Sequence, residues 1–177
     1  RILEETNTTK YHDAMIASLD LEKAFNSLNC EFLMQVMDRM GLGVDWNRWV
    51  TILYTAPQAR VRTGKQVSEK YQIFRGTCQV CPLSPLLFAL AMEPLAETVR
   101  NKGTTHTISL YADDILLYLR DGKTGLAQSI DSIRVFGNIS GLKLNATKSC
   151  LFPICKGRMT PPQSTEGLFW SPSTFKY

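Results

Sequence analysis

The chain has 177 residues, of which 44% are hydrophobic, and this apolar share is enough for one folded domain with a buried core. Lysine and arginine total 20 against 16 for aspartate and glutamate, so the net charge of +4 suits a nucleic-acid partner without requiring one. The longest apolar run, residues 85–92, is too short to cross a bilayer, and residues 1–5 have glutamates where a signal peptide has an apolar stretch, so we expect neither a membrane nor a secreted protein.

The first predicted elements are a buried strand and a long helix. Residues 14–19 form a short apolar run that ends at Asp20, a pattern typical of a strand inside a sheet. Apolar residues then recur at helical spacing through residues 25–40. Because Gly41 and Gly43 follow directly, and glycine commonly ends a helix, we predict that this helix ends there.

A shorter helix and a hairpin are predicted next. Asp45 is a suitable N-terminal cap, and the helix has to end before Pro57, whose ring disfavours helical geometry in the residue before it. Residues 59–63 and 70–74 lie on either side of Gly64 and have the composition of strands. This arrangement predicts two antiparallel strands joined around that glycine.

A helix and two adjacent strands are predicted in the middle of the chain. Ser84 precedes a proline, a pair typical of a helix cap and first turn, and the helix is expected to run to about Arg100. Residues 107–111 and 115–119 are two apolar runs joined by three residues. They predict two strands connected by a tight turn.

The last elements complete an alternation of strands and helices. Residues 124–140 predict a helix ended by Gly141, and residues 142–152 an extended segment. Without the hairpin, the order is β-α-β-β-α-β, which predicts an α+β fold with helices on one face of an antiparallel sheet. We therefore expect one domain over residues 1–152, followed by a loop-rich segment over residues 153–177, which is rich in proline.

Aspartates stand at the ends of these apolar strands. Asp20 ends the first strand, and Asp113 and Asp114 lie between two others, although aspartate is rare in strands and costly beside a core. A hairpin turn explains Asp113 and Asp114 but not Asp20. If the strands are neighbours, the three carboxylates meet at one sheet edge, where two charges ~4 Å apart repel by about 4 kcal/mol. Such a cluster needs a hard cation, Mg²⁺ or Mn²⁺, and paired ions of this kind promote phosphoryl or nucleotidyl transfer.

Four motifs, in order, resemble those of reverse transcriptases. They are SLDLEKAF at residues 18–25, GTCQVCPLSPLLF at residues 76–88, YADD at residues 111–114, and SGLKLN at residues 140–145 followed by Lys148. The final residues, 175–177, are similar to the start of the next motif. The resemblance is greatest to the endonuclease-linked enzymes of non-LTR retrotransposons.

This resemblance implies the polymerase palm of an RNA-directed DNA polymerase over residues 1–152, with a remnant of the fingers at its start and the rest of the fingers and the thumb missing. By their motif positions, the residues holding two Mg²⁺ (or Mn²⁺) ions would be Asp20, Asp113, Asp114 and, through its backbone carbonyl, Leu21. The residues contacting the nucleotide would be Phe25, Gln79, Tyr111 and Lys148. Those contacting the template or primer would be Gly76, Pro82 and Ser84.

The resemblance also implies partners and a location. The partners are an RNA template, a DNA primer and deoxynucleoside triphosphates, and an endonuclease domain would be linked in the full-length protein. The expected location is intracellular, in the cytoplasm and nucleus, without membrane attachment.

Three features depart from the family pattern. Val80 stands where glycine is usual, Asn26 replaces an aspartate, and the link between Arg100 and Thr107 is several residues shorter. A side chain at position 80 would strain a left-handed backbone or narrow the template groove. A catalytically inactive relic or a nucleic-acid-binding remnant therefore stays open. A phosphodiesterase or cyclase on the same fold is a third possibility, against which the motif around Gln79 argues, because a cyclase holds no template.

Overall fold

The computed structural model describes residues 13–77, 81–101, 106–154 and 167–171. Its helices are α1 (Ala24–Ser27), α2 (Cys30–Arg39), α3 (Val44–Tyr54), α4 (Ser84–Asn101) and α5 (Gly122–Ser140). The strands of its main sheet are β1 (Met15–Leu21), β6 (His106–Tyr111), β7 (Asp114–Leu119), β8 (Leu144–Pro153) and β9 (Phe169–Trp170). Four two-residue strands lie between α3 and α4: β2 (Gln58–Ala59), β3 (Arg62–Thr63), β4 (Gln66–Val67) and β5 (Tyr71–Gln72).

The main sheet has the strand order β6-β7-β1-β8-β9. Strand β1 lies between β7 and β8 and pairs with both in antiparallel orientation. Its register with β7 runs from Met15 opposite Leu119 to Leu19 opposite Ile115. The predicted α+β fold and the predicted adjacency of β1 to the Asp113 hairpin are therefore confirmed.

One face of this sheet packs against the helices. Met15, Ala17 and Leu19 of β1 belong to the apolar core, whereas the intervening Ile16 and Ser18 do not, because successive strand residues point to opposite faces. Their β7 partners, at positions 119, 117 and 115, are core residues too. The helices complete this core with side chains such as those of Leu33, Met37, Phe88, Met92 and Ile130. The helices cover one face of the sheet, as predicted.

The first predicted helix is interrupted. It divides into α1 and α2 because Asn29 caps α2: its Oδ1 accepts hydrogen bonds from the backbone N–H groups of Glu31 at 2.8 Å and Phe32 at 3.4 Å. The cap predicted at Asp45 is wrong, since α3 begins at Val44 after Gly43 and Asp45 lies in its first turn. Apolar spacing continues across both helices and does not reveal the break.

The predicted hairpin and C-terminal loop need refinement. The hairpin around Gly64 is confirmed, with β3 paired to β4 and β2 to β5. The loop prediction is wrong at Phe169–Trp170, which pair in parallel with Cys150 and Leu151 of β8. Among the described residues, none of the helices is long and apolar enough to span a membrane.

Candidate active site

Two predicted acidic residues meet where β1 leaves its register with β7. The last pair is Leu19 opposite Ile115, so Asp20 lies one residue further along, at the level of the turn between β6 and β7. That turn carries Asp113, and Asp114 pairs with Tyr111 below it. Asp20 and Asp113, both half-buried, line one cleft of about 840 Å³. Asp114 is exposed and does not line the cleft.

The turn itself carries local strain. Ala112 has a φ of +52°, a left-handed conformation that favours glycine. Aspartate tolerates this conformation in turns, yet here an alanine adopts it beside Asp113. Non-glycine residues in this region cost of order 1–3 kcal/mol and cluster at functional sites. The strained residue therefore directly precedes Asp113 in the turn.

The opposite wall of the cleft is formed by an irregular part of β8. Asn145 donates a hydrogen bond from Nδ2 to Oδ2 of Asp20 at 3.0 Å. Ser149, which is fully buried, accepts a hydrogen bond from the backbone N–H of Asp20 at 3.0 Å. Neither residue was predicted from the sequence to have a role. Asn145 lies within the SGLKLN motif at residues 140–145, and that motif was the signal in the sequence that could have identified it. Nothing in the sequence around Ser149 marks it as a functional residue.

Basic side chains surround the two carboxylates. Lys23, Arg75, Lys143 and Lys148 are exposed and line the same cleft. Lys23 has a left-handed backbone with a φ of +45°. Cations around a pair of carboxylates suit a ligand that carries phosphate groups, because the cations attract the phosphate while the carboxylates hold a metal ion.

The oxygen donors at this cleft fit a hard divalent cation. Asp20 and Asp113 offer carboxylate oxygens, and Leu21 also lines the cleft. Oxygen donors of this kind are the preferred ligands of Mg²⁺ and Mn²⁺. Within the ranges that the structure describes, no group of three or more His, Cys, Asp or Glu side chains is placed to hold a metal ion.

The predicted nucleotide-contacting residues fall in different environments. Phe25 is half-buried and stacks on Phe88 of α4, with ring centroids 4.7 Å apart and an interplanar angle of 28°. Tyr111 is 83% exposed beside the turn. Lys148 lines the cleft. Gln79 and the neighbouring Val80 lie outside the described residues, as does most of the link before His106.

The predicted template-contacting residues are mostly buried. Gly76 is buried with a φ of +89°, and a Cβ added there would come within 2.6 Å of the Asn26 Cα atom. Its glycine identity is thus required by close packing on α1. Ser84 is fully buried, and its hydroxyl has no hydrogen-bond partner among the described residues. Pro82 is exposed.

Comparisons with known proteins identify relatives of the whole chain. A family model described as "Reverse transcriptase (RNA-dependent DNA polymerase)" matches residues 2–177. A retrovirus-related Pol polyprotein from the type-2 retrotransposable element R2DM of Drosophila melanogaster is 31% identical over 78% of this chain. The transposon TX1 uncharacterized 149 kDa protein of Xenopus laevis is 26% identical over 90% of it. The chain spans 14% and 13% of the lengths of these two relatives, respectively.

Solved structures share the fold. Apo telomerase from Candida tropicalis, truncated from its C-terminal domain, superposes with a TM-score of 0.64 and 12% identity, covering 85% of this chain and 32% of that one. Telomerase from Candida tropicalis in complex with the TWJ fragment of telomeric RNA gives a TM-score of 0.60 at 13% identity, with 85% and 28% coverage. At such identities the likeness shows the architecture, a polymerase palm-like sheet with helices on one face.

Proposed function

This chain belongs to the reverse transcriptase family, and from that premise we propose that it forms the palm of an RNA-directed DNA polymerase of a non-LTR retrotransposon. The observation that carries the proposal is that Asp20 and Asp113, which are far apart in the sequence, line the same cleft. The retrotransposon relatives at 26–31% identity support the type of element. The palm would extend over residues 1–152, with residues 153–177 leading to the next motif.

Reverse transcriptases use divalent metal ions, and we propose that two Mg²⁺ or Mn²⁺ ions are held by Asp20 and Asp113, assisted by the Leu21 carbonyl, with Asp114 nearby. When bound, such ions lower the pKa of a primer 3′-hydroxyl and stabilise the departing pyrophosphate. The chain's own part is to fix one carboxylate on β1 and the other on the turn that leads into the neighbouring strand β7, so that both line one cleft. The cleft's lysines then hold the triphosphate or screen the charge of the leaving pyrophosphate.

Four residues are proposed to contact the incoming nucleotide. Lys148 projects from the irregular part of β8 into the cleft, where its ammonium can reach a phosphate. Phe25 lies five residues after Asp20 and is proposed to lie beneath the sugar, where a ring would exclude a 2′-hydroxyl; its stacking on Phe88 equally supports a packing role. Tyr111 and Gln79 complete the proposed set from their positions in the family motifs.

An RNA template and a DNA primer are the proposed macromolecular partners. Binding of an RNA template is a property of the family, and for this chain Gly76, Pro82 and Ser84 are the proposed points of contact or support. Because Gly76 and Ser84 are buried, we propose that they shape the loop that supports the template, and that the exposed Pro82 is the residue able to touch it. A linked endonuclease and a location in the cytoplasm and nucleus belong to the same proposal.

The test is primer extension on an RNA template by the full reading frame that contains this chain. Asp20→Asn and Asp113→Asn should each lower the rate by about 1,000-fold or more, because the metal contributes several kcal/mol of transition-state stabilisation, and about 4 kcal/mol corresponds to that factor. Asp38→Asn, an exposed aspartate on α2, is the matched control and should leave the rate unchanged. An unsubstituted protein as inactive as both variants, yet folded, would favour the inactive relic.

A further inference from the structure

Strand β8 breaks its pairing with β1 beside Asp20. Ser18 pairs with Cys150, but the next pair along the strands is Asp20 with Asn145. The β8 residues 146–149 therefore bulge away opposite the single β1 residue Leu19. Bulges of this kind redirect side chains and are common next to active sites.

A serine hydroxyl links the two strands where Asp20 pairs with Asn145. The Asp20 backbone N–H donates to Oγ of Ser149 at 3.0 Å, and that hydroxyl donates to the Asn145 carbonyl at 2.7 Å. Ser149 is fully buried, so water cannot substitute for either bond. The backbone positions of Asp20 and Asn145 are thereby joined through one hydroxyl.

The same segment orients the Asp20 carboxylate. The Thr147 hydroxyl donates to Oδ1 of Asn145 at 2.8 Å, and because that oxygen can only accept, the Nδ2 amide group is left to donate to Oδ2 of Asp20 at 3.0 Å. The second carboxylate oxygen, Oδ1, has no hydrogen bond to any residue in the described ranges. One oxygen is thus held and the other is available for a cation.

We propose that Asn145 is a positioning residue for Asp20, and that Thr147 sets the direction of its amide. The proposal rests on the proposed function, in which Asp20 holds a metal ion. A neutral amide suits this role because it fixes the carboxylate through a charge-assisted hydrogen bond while leaving its negative charge available, whereas a lysine would neutralise it. Removing a group that hydrogen-bonds to a metal ligand and orients it typically lowers the metal affinity by 10- to 100-fold.

The experiment measures metal affinity in two ways on the full reading frame. Free Mn²⁺ is followed by electron paramagnetic resonance without nucleotide or primer, and the Mg²⁺ concentration for half-maximal primer extension is measured separately. Asn145→Leu should raise both midpoints by about 10- to 100-fold. The rate at saturating metal should fall less, because the carboxylate itself is still present.

Thr147 supplies the sharper variant because it is exposed and its hydroxyl donates to Asn145 and not to Asp20. Thr147→Val keeps the side-chain shape but removes the hydroxyl that donates to Asn145. It should raise the metal concentrations at both midpoints by roughly 3- to 10-fold, a smaller effect than that of Asn145→Leu. Thr147→Ser restores the hydroxyl and should restore the midpoints. Asn101→Leu, an exposed asparagine at the end of α4, is the control and should change neither midpoint.

The outcomes separate this inference from the proposed function. Unchanged midpoints in both Asn145→Leu and Thr147→Val, with activity lost in Asp20→Asn, would overturn the positioning role and leave the polymerase proposal intact. Full Mn²⁺ binding and activity in Asp20→Asn would overturn both. If thermal melting shows that Asn145→Leu is unfolded, the comparison of Thr147→Val with Thr147→Ser decides.

Discussion

The two ends of strand β1 are built differently. From Met15 to Ser18 the strand pairs in continuous register with both neighbours, and Met15 and Ala17 are fully buried. Between Ser18 and Asp20 the β8 register shifts, and at Asp20, which pairs with Asn145, hydrogen bonds with the side chains of Ser149 and Asn145 add to the strand pairing. Burial of apolar side chains therefore stabilises the first half of β1. Hydrogen bonds with polar side chains stabilise the second half, where the proposed active site lies.

Backbone strain follows the same division. Of the three described non-glycine residues with positive φ, Lys23 and Ala112 lie near the polar end of β1, and Ala56 lies between α3 and β2. A regular sheet end would need neither conformation. The polar end thus combines strain, a bulge and unlike charges, while the apolar end supplies the packing that holds it in place.

The largest effect is expected at the apolar end. Leu117→Ala removes a fully buried side chain opposite Ala17 and should lower the free energy of unfolding by about 2–5 kcal/mol. Urea denaturation of the purified chain measures it. Leu116→Ala, the neighbouring half-buried residue on the other face of the same strand, should cost less. If Leu117→Ala and Leu116→Ala lose the same unfolding free energy, packing against the helix-covered face is not what stabilises the apolar end of β1.

The next effect tests whether buried hydrogen bonds fix the polar end. Ser149→Ala leaves the Asp20 N–H unpaired in a buried position and should cost about 1–3 kcal/mol of unfolding free energy. Ser68 is a matched control: its hydroxyl likewise accepts from a backbone N–H, that of Val61 at 2.9 Å, and donates to the Glu69 carbonyl at 2.9 Å, but it is exposed.

Because water can replace both bonds at Ser68, Ser68→Ala should change the unfolding free energy by less than about 0.5 kcal/mol. Urea denaturation of the two variants side by side measures the difference. A loss for Ser149→Ala no greater than that for Ser68→Ala would contradict the view that this hydroxyl holds the polar end together.

The apolar end could be predicted from the sequence, and the polar end only in part. Alternating burial and apolar runs report which residues face the core, and so they locate β1 and β7 and bring Asp20 near Asp113. Periodicity carries no information on register, so the bulge at residues 146–149 was not foreseen. It depends on the Ser149 hydroxyl meeting a backbone group 129 positions away.

Two further differences have local physical causes. The break between α1 and α2 depends on the Asn29 cap, a signal present in the sequence but obscured by apolar residues that continue the helical spacing. Strand β9 is only two residues long and exists because the edge of β8 offers it a partner. Its own sequence is too short to show alternation.

The smallest effect concerns the strained turn. Ala112→Gly should relieve a left-handed conformation that costs an alanine about 1–2 kcal/mol, while glycine adds about 0.5–1 kcal/mol of unfolded-state entropy. The expected result is a gain of up to about 1.5 kcal/mol in unfolding free energy, measured by urea denaturation. Ala127→Gly, at an exposed position within α5, should instead lose about 0.5–1 kcal/mol, since there the entropy term acts alone.

The opposite signs make this pair informative despite its size. If Ala112→Gly loses as much stability as Ala127→Gly, the positive φ of Ala112 costs nothing and the turn is not strained. If it gains stability but needs more Mg²⁺ for half-maximal primer extension, then Asp113 is presented less firmly by the relaxed turn. That second result would link the strain at Ala112 to function. The unsubstituted protein would then be less stable than Ala112→Gly but would hold the Asp113 carboxylate more firmly.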